Sequence, residues 1–150
     1  MSTWIITHGD SDGVCSGALA LAVNPKAKIV FTNPVKLAQD LKEVEEGSQV
    51  IICDISMNGG TLPDVLERMR VLSSKNSLIY IDHHPLPPNI DLKEFPGRVI
   101  HELDPCASEL TYKAFRDMLP KTMNRVAIYG AIGDYADNTP LHSGASQRLG

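Results

Sequence analysis

The sequence predicts an α/β fold in which a mainly parallel sheet of five strands lies between two layers of helices. Five short apolar runs are spaced along the chain, segments of helical character separate them, and 150 residues make one domain of ordinary size. The runs are rich in β-branched residues and do not alternate with polar ones, as is typical of strands covered on both faces. They predict strands at about residues 4–7, 28–31, 50–53, 78–81 and 98–101.

Helices are predicted between and after the strands, at about residues 13–23, 34–45, 62–73, 106–118 and 122–135. Asp104 before Pro105 predicts a capping residue and a first-turn proline, and Gly47 follows the acidic end of the second helix. Small residues recur in the last helix, at Ala127, Gly130, Ala131 and Gly133. We therefore expect that helix to lie close against the sheet of this three-layer, Rossmann-like domain.

The composition is that of a globular protein. Hydrophobic residues make up 43% and charged residues 21%, which excludes a disordered chain. No apolar run approaches the ~18 residues of a membrane span, and the sequence starts without the features of a signal peptide. We therefore expect a cytoplasmic protein without a membrane partner. Cys15, Cys53 and Cys106 form no CxxC pair and are expected to be reduced and mostly buried.

Acidic and histidine residues follow three of the five predicted strands. The first strand runs into His8, the third into Asp54 and the fourth into Asp82, while Asp134 follows the small residues of the last helix. Parallel strands end at the same edge of a sheet, and open α/β sheets bind their ligands there. We therefore expect these side chains to converge.

The segment after the first strand has the spacing His8-x-Asp10-x-Asp12. Alternate side chains of an extended segment point to one side, so three ligands can face one cavity. Gly9 and Gly13 allow a tight path, and the helix that follows brings its positive end near a bound phosphate. A loop with helix-capping aspartates explains the same residues equally well.

The groups after the third and fourth strands also allow two explanations each. Asp54 can cap the next turn, or its two oxygens can bridge two cations. Adjacent histidines at a strand exit face different ways, so one of His83 and His84 can bind a metal while the other reaches a substrate oxygen, with Asp82 fixing a ring tautomer. A solvated polar turn before Pro85 is the alternative.

Together these segments resemble the four motifs of the DHH phosphoesterases. The resemblance is carried, in this order, by His8-x-Asp10-x-Asp12-Gly13, Asp54, Asp82-His83-His84 and Gly133-Asp134. That superfamily includes RecJ-type exonucleases, oligoribonucleases, cyclic dinucleotide phosphodiesterases, exopolyphosphatases and family II pyrophosphatases. Four motifs in order are far more specific than any one of them.

The resemblance implies a site for two Mn²⁺ ions, with Mg²⁺ as the alternative metal. The ligands of the first ion would be His8, Asp10 and Asp54. Those of the second ion would be Asp12, Asp54, His83 and Asp134, with Asp54 bridging. His84 would contact the scissile phosphate or the leaving group, and Asp82 would support the histidines.

Two assignments from the resemblance keep an alternative. Residues 136–141 also resemble the RecJ form of the fourth motif, which would use Asp137, but the small residues before Asp134 favour Asp134. Ser108 belongs to a segment that resembles a family helix start near substrate, so we predict that Ser108 binds substrate. An ordinary helix start explains Ser108 equally well.

The implied activity is metal-dependent hydrolysis of phosphodiester bonds by a water that two metal ions activate. Carboxylate oxygens with a minority of imidazoles suit Mn²⁺ or Mg²⁺. The isoelectric point near 5.7 argues against a protein that binds nucleic acid mainly through a basic surface. Because basic residues near the motifs are few, we expect short oligonucleotides or dinucleotides as substrates, with pyrophosphate or polyphosphate as the alternative.

Two other interpretations stay open at this point. Asp10-Ser11-Asp12-Gly13 also resembles the DxDG motif of haloacid-dehalogenase-like phosphatases, although position 14 is Val where that family has Thr. Many DHH proteins carry a second, substrate-binding domain, and nothing like its motif follows Asp137. We therefore expect one DHH domain over residues 1–150, completed by a second domain or a homodimer partner. A non-catalytic nucleotide-binding scaffold is the alternative.

Overall fold

The computed structural model describes residues 2–75 and 77–134, and five strands in that part of the chain form one sheet. They are β1 (Thr3–His8), β2 (Lys28–Thr32), β3 (Gln49–Cys53), β4 (Leu78–Asp82) and β5 (Arg98–His101). All neighbouring strands pair in parallel, in the order β2-β1-β3-β4-β5. The predicted sheet is confirmed, and over this part of the chain it is wholly parallel.

Five helices accompany the sheet in the same residues. They are α1 (Ser11–Val23), α2 (Leu37–Lys42), α3 (Leu62–Lys75), α4 (Ala107–Phe115) and α5 (Asn124–Gly133), and short 3-10 turns lie at Leu92–Glu94, Arg116–Met118 and Lys121–Met123. α2 starts later than predicted because the side-chain oxygen of Asn33 accepts hydrogen bonds from Val35 N–H and Lys36 N–H, each 3.0 Å long. Those bonds hold a turn where the helix was expected to begin.

The two faces of the sheet carry separate apolar cores. One core joins α2 and α3 to strand residues such as Ile6 and Ile52. The other joins α1 and α4 to Ile5 and Ile51. Successive strand residues thus point to opposite faces that are both covered, which explains the continuous apolar runs and confirms helices on both faces.

The order of the strands changes direction at β1, and this fixes where a ligand can bind. From β1 the chain crosses to β2 on one side and then returns past β1 to β3 on the other. The connections after β1 and β3 therefore leave the sheet toward opposite faces and open a crevice between them. His8 ends β1 and Asp54 follows β3, so both residues border this crevice.

α5 packs mainly on α1 and α4, which corrects the expectation that its small residues bring it against the sheet. A Cβ at Gly130 would collide with the Ser108 side chain, and a Cβ at Gly133 would collide with Ser11. The glycines therefore make room for serines of the facing helices. α1 and α4 contact that face of the sheet, and α5 packs against these two helices.

The cysteines match the sequence prediction, since Cys53 and Cys106 are buried, Cys15 is partly exposed and all three are free. Among the helices of residues 2–75 and 77–134, none has both the length and the apolar character that crossing a bilayer requires.

Gly130→Ala should destabilise the protein, because the new methyl group must displace the Ser108 side chain. We expect the free energy of unfolding to fall by about 2 kcal/mol. The matched control is Gly59→Ala, whose methyl group meets open space and should change the free energy by less than about 0.5 kcal/mol. Urea denaturation of both variants makes the comparison, and equal stabilities would contradict the close packing of α5.

Candidate metal centre

Side chains from five parts of the chain meet at the carboxyl edge of the sheet. They come from the end of β1, the start of α1, the turn after β3, the end of β4 and the end of α5. These residues are His8, Asp10, Asp12, Asp54, Asp82, His83, His84 and Asp134. The structure therefore brings together all the predicted metal ligands and both predicted catalytic residues.

Asp54 lies at the centre of this cluster. Its backbone is left-handed, with φ 56°, and its N–H donates to the Ile81 carbonyl at 2.9 Å, so the chain turns sharply after β3. The residue is 1% exposed. Its Oδ1 lies 3.2 Å from His83 Nε2, whereas its buried Oδ2 has no hydrogen-bond partner among the described residues. An unpaired buried oxygen on a residue with this backbone indicates a functional constraint.

Asp12, His83 and Asp134 form the inner group of the cluster. His83 Nε2 lies 3.4 Å from Asp12 Oδ2 and 3.7 Å from Asp134 Oδ2, in addition to its contact with Asp54. One ring nitrogen cannot donate well to three carboxylates. The ligand atoms of the inner group lie within 4.8 Å of one another, close enough to share a cation. Asp137, the alternative to Asp134, lies outside the described residues.

His8, Asp10 and Asp54 form the outer group, whose ligand atoms also lie within 4.8 Å of one another. His8 Nδ1 is 3.0 Å from Asp10 Oδ2, and these two side chains are 36% and 46% exposed. Asp10 also caps α1, because its Oδ1 accepts the Gly13 N–H at 2.8 Å. Helix capping, the alternative explanation of this motif, is therefore correct for Asp10, and it leaves the second oxygen beside His8.

The tight path after β1 requires a glycine at position 13. A Cβ at Gly13 would collide with the backbone carbonyl of His8, whereas a Cβ at Gly9 would meet open space. Gly9 therefore has room for a side chain, and the steric requirement for glycine lies at Gly13. The approach of Gly13 to His8 is what sets the start of α1 directly against the end of β1.

The buried carboxylate of Asp12 caps the start of α4. Its two oxygens accept hydrogen bonds from Ala107 N–H at 3.1 Å and from Ser108 N–H at 2.8 Å. The positive end of the helix thus stabilises the negative charge of Asp12. The prediction of Asp104 as the cap and Pro105 as the first helical residue is wrong, because the helix begins at Ala107 and its cap comes from α1.

Ser108 is buried, and its hydroxyl donates to the Ala127 carbonyl at 2.9 Å. This hydrogen bond ties α4 to α5. The part of Ser108 that contacts the cluster is its backbone N–H, on Asp12. Substrate binding by Ser108 stays a prediction, and donation from its hydroxyl to a substrate would require the bond to Ala127 to break.

Asp82 is buried and supports His84 rather than both histidines. Its Oδ1 lies 2.7 Å from His84 Nδ1, and its Oδ2 accepts the His84 N–H at 3.2 Å. The Tyr80 hydroxyl lies 3.0 Å from the same Oδ2. The hydrogen bond to Asp82 raises the pKa of His84 above its ordinary value. This bond occupies Nδ1 and leaves Nε2 of His84 available to another group.

Comparison with known sequences identifies the family. The chain matches the sequence profile of the DHH family, N-terminal domain, over residues 2–134. The chain belongs to the DHH family. This finding confirms the resemblance seen in the four motifs and leaves the haloacid-dehalogenase-like alternative without support. A comparison with curated proteins found no match.

Two solved structures resemble this DHH chain in fold. An uncharacterised protein from Helicobacter pylori G27 has a TM-score of 0.65 at 13% identity, with 99% of this chain and 49% of that chain covered. RecJ from Thermus thermophilus, solved in complex with Mn²⁺, has a TM-score of 0.60 at 19% identity, with 99% and 23% covered. These likenesses confirm the α/β fold. The chain spans about half the length of the first structure and about a quarter of the second.

The chemistry of the DHH cluster fits divalent metal ions. Burial raises the pKa of Asp54 to about 10, and the charge of Asp12 adds to this effect. In the described part of the chain, the ion-pair partners of the clustered aspartates are histidines rather than lysines or arginines. Carboxylate oxygens with a few imidazoles are the donor set that Mn²⁺ and Mg²⁺ accept, and the unpaired Asp54 Oδ2 can bind such an ion.

Sequence reasoning missed two residues that support the DHH motif, Tyr80 and His101. Tyr80 lies two residues before Asp82 on the same strand, so strand alternation could have placed both side chains on one face. His101 ends β5 at the ligand-binding edge, as His8 ends β1, and its Nε2 lies 2.7 Å from the His84 carbonyl oxygen. The sequence patterns placed Tyr80 and His101 in predicted strands and indicated a role in the site for neither residue.

Asp54→Asn should stabilise the metal-free protein. Burial raises the pKa of Asp54 from 3.8 to about 10, so the folded chain keeps a proton that the unfolded chain releases above about pH 4. The stability of the metal-free wild type therefore falls as pH rises from about 4 toward 10, and an amide removes that dependence. Near pH 8 we expect Asp54→Asn to raise the free energy of unfolding by about 1–2 kcal/mol.

Urea denaturation in a chelator, at about pH 5 and pH 8, measures this effect. Asp117→Asn, at an exposed position, is the matched control and should follow the wild type. If the free energy of unfolding changes equally with pH in Asp54→Asn and in the wild type, burial of the Asp54 carboxylate does not destabilise the protein.

Proposed function

We propose that the chain is a Mn²⁺-dependent phosphodiesterase that hydrolyses short oligonucleotides or dinucleotides with a water activated by two metal ions. The observation that supports this proposal most is the position of Asp54. It belongs to the outer group with His8 and Asp10, and its Oδ1 also contacts His83 of the inner group. A carboxylate shared by two groups of ligands can bind one ion with each oxygen.

Each of the two groups of residues would bind one of the two ions. His8 and Asp10 would hold one ion at the more exposed side, and Asp12, His83 and Asp134 would hold the other. When bound, such ions lower the pKa of a coordinated water and neutralise charge on a phosphate. The two N–H groups at the start of α4 orient the carboxylate of Asp12, which would serve as a ligand of the second ion.

His84 would act on the substrate rather than on a metal. Asp82 Oδ1 accepts a hydrogen bond from His84 Nδ1–H and raises the pKa of the ring, which favours the doubly protonated imidazolium. Its Nε2–H can then donate to a phosphate oxygen or to the leaving oxygen. Nδ1 of His84 lies 4.0 Å from Asp54 Oδ1, so the imidazole ring stands beside the ligand cluster.

The scarcity of cations at this edge supports phosphodiesters as the substrate class. From each strand to the next helical element, the connecting residues are 9–10, 33–36, 54–61, 83–91 and 102–106, and these ranges hold a single Lys or Arg, Lys36. Pyrophosphate and polyphosphate carry several charges in a small volume and require many basic side chains. A phosphodiester linkage carries one charge, which two metal ions and His84 can neutralise.

A hydrolysis panel tests the proposed activity. With Mn²⁺ present, we expect turnover of a short oligonucleotide or a linear dinucleotide and little turnover of pyrophosphate or polyphosphate. Asp54→Asn should lower the rate at least about 100-fold, because it removes the shared ligand. The exposed variant Asp117→Asn should keep the wild-type rate.

Other outcomes of the panel would point to the alternatives. Faster hydrolysis of pyrophosphate than of oligonucleotides would support a pyrophosphatase of the same fold. Binding of Mn²⁺ and nucleotide without hydrolysis of any substrate would support a non-catalytic scaffold.

The number of bound ions tests the division into two groups. Isothermal titration should give two Mn²⁺ ions per wild-type chain. Asp10→Asn should leave one ion, because it changes only the outer group, whereas Asp54→Asn should weaken both. Loss of both ions in Asp10→Asn would argue against two separable sites.

A further inference from the structure

The β4–β5 ladder ends just before the segment that carries His84. The last paired residues are Asp82 of β4 and His101 of β5, so the backbone of residues 83 and 84 extends past the sheet. A partly buried carbonyl group at such a position needs a donor from outside the ladder. The imidazole of His101 is that donor, because its Nε2 lies 2.7 Å from the His84 carbonyl oxygen.

This contact shows which nitrogen of the His101 ring carries a proton. A carbonyl oxygen can only accept, so Nε2 of His101 carries a proton and donates it. The other side of His84 is also held, because its N–H donates to Asp82 Oδ2 at 3.2 Å. Pro85 further restricts the backbone of the residue before it to extended conformations. Both peptide groups that flank the His84 Cα are therefore fixed.

We propose that His101 is a positioning residue for His84. This inference rests on the proposed function, in which His84 Nε2 contacts the substrate. Asp82 fixes the ring at Nδ1, with a distance of 2.7 Å, and His101 fixes the backbone from which the ring extends. The contact of Asp82 with the ring and the contact of His101 with the backbone together determine the position of His84 Nε2. A displacement of about 1 Å at such an atom is enough to lower a rate by one to two orders of magnitude.

Steady-state kinetics of two His101 variants tests the proposal, with Mn²⁺ and a short oligonucleotide as substrate. His101→Leu removes the donor and should lower kcat about tenfold, with KM and Mn²⁺ affinity within about twofold of the wild type. His101→Gln keeps an N–H donor and should restore kcat to within about threefold. Arg98→Leu, at the opposite end of β5, is the matched control and should behave as the wild type.

Three kinetic results would overturn the proposal. They are wild-type kcat in His101→Leu, no rescue in His101→Gln, and a loss of Mn²⁺ affinity as large as the loss of kcat. The last result would show that His101 stabilises the whole cluster of metal ligands and does not specifically position His84.

A spectroscopic arm separates this proposal from the proposed function. In NMR spectra recorded with diamagnetic Mg²⁺, the His84 Nδ1–H bound to Asp82 should give a downfield proton signal in the wild type and in His101→Gln. In His101→Leu it should broaden or vanish, and an unchanged signal there would overturn the proposal. If the wild-type chain hydrolyses nothing, the proposed function fails, and this signal still decides whether His101 positions His84.

Discussion

The charge balance of the whole site depends on the buried carboxylate of Asp54. An ionised carboxylate is costly to bury without a cation, and burial raises the pKa of this group to about 10. Its neighbours in the cluster add further negative charge through Asp10 and Asp12, while the positive partners are imidazoles. In the metal-free chain a proton on Asp54 relieves this repulsion, and near neutral pH Asp54 ionises only where a strong cation replaces that proton. Divalent metal ions meet that condition, and the donor atoms match their preference.

Close packing and hydrogen bonds both position the residues of this cluster. The change of strand order at β1 opens the crevice, and the approach of Gly13 to His8 sets α1 against its edge. Ser108 then links helix packing to the ligands. Its N–H holds Asp12, while its side chain contacts α5 at Gly130 and bonds to Ala127. Because α5 ends next to Asp134, the close fit of the helices also places the last ligand.

Much of the fold could be predicted from the sequence, because strand and helix patterns are local. The polar residues at strand ends likewise follow from the rule that parallel strands share one ligand-binding edge. Contacts between distant segments could not be predicted. The cap of α4 comes from Asp12 in α1 instead of the neighbouring Asp104, and α5 rests on helices instead of the sheet. The support of His84 by His101 depends on where the β4–β5 ladder ends, which no local pattern shows.

The position of the metal ions relative to Asp54 is the most direct test of this arrangement. Crystals of the protein soaked in Mn²⁺ and measured at the manganese absorption edge would show the ions by anomalous scattering. Two peaks about 3.5–4 Å apart, one beside each oxygen of the Asp54 carboxylate, are the predicted result. A single peak away from Asp54, or none at saturating Mn²⁺, would contradict a site built around a shared carboxylate.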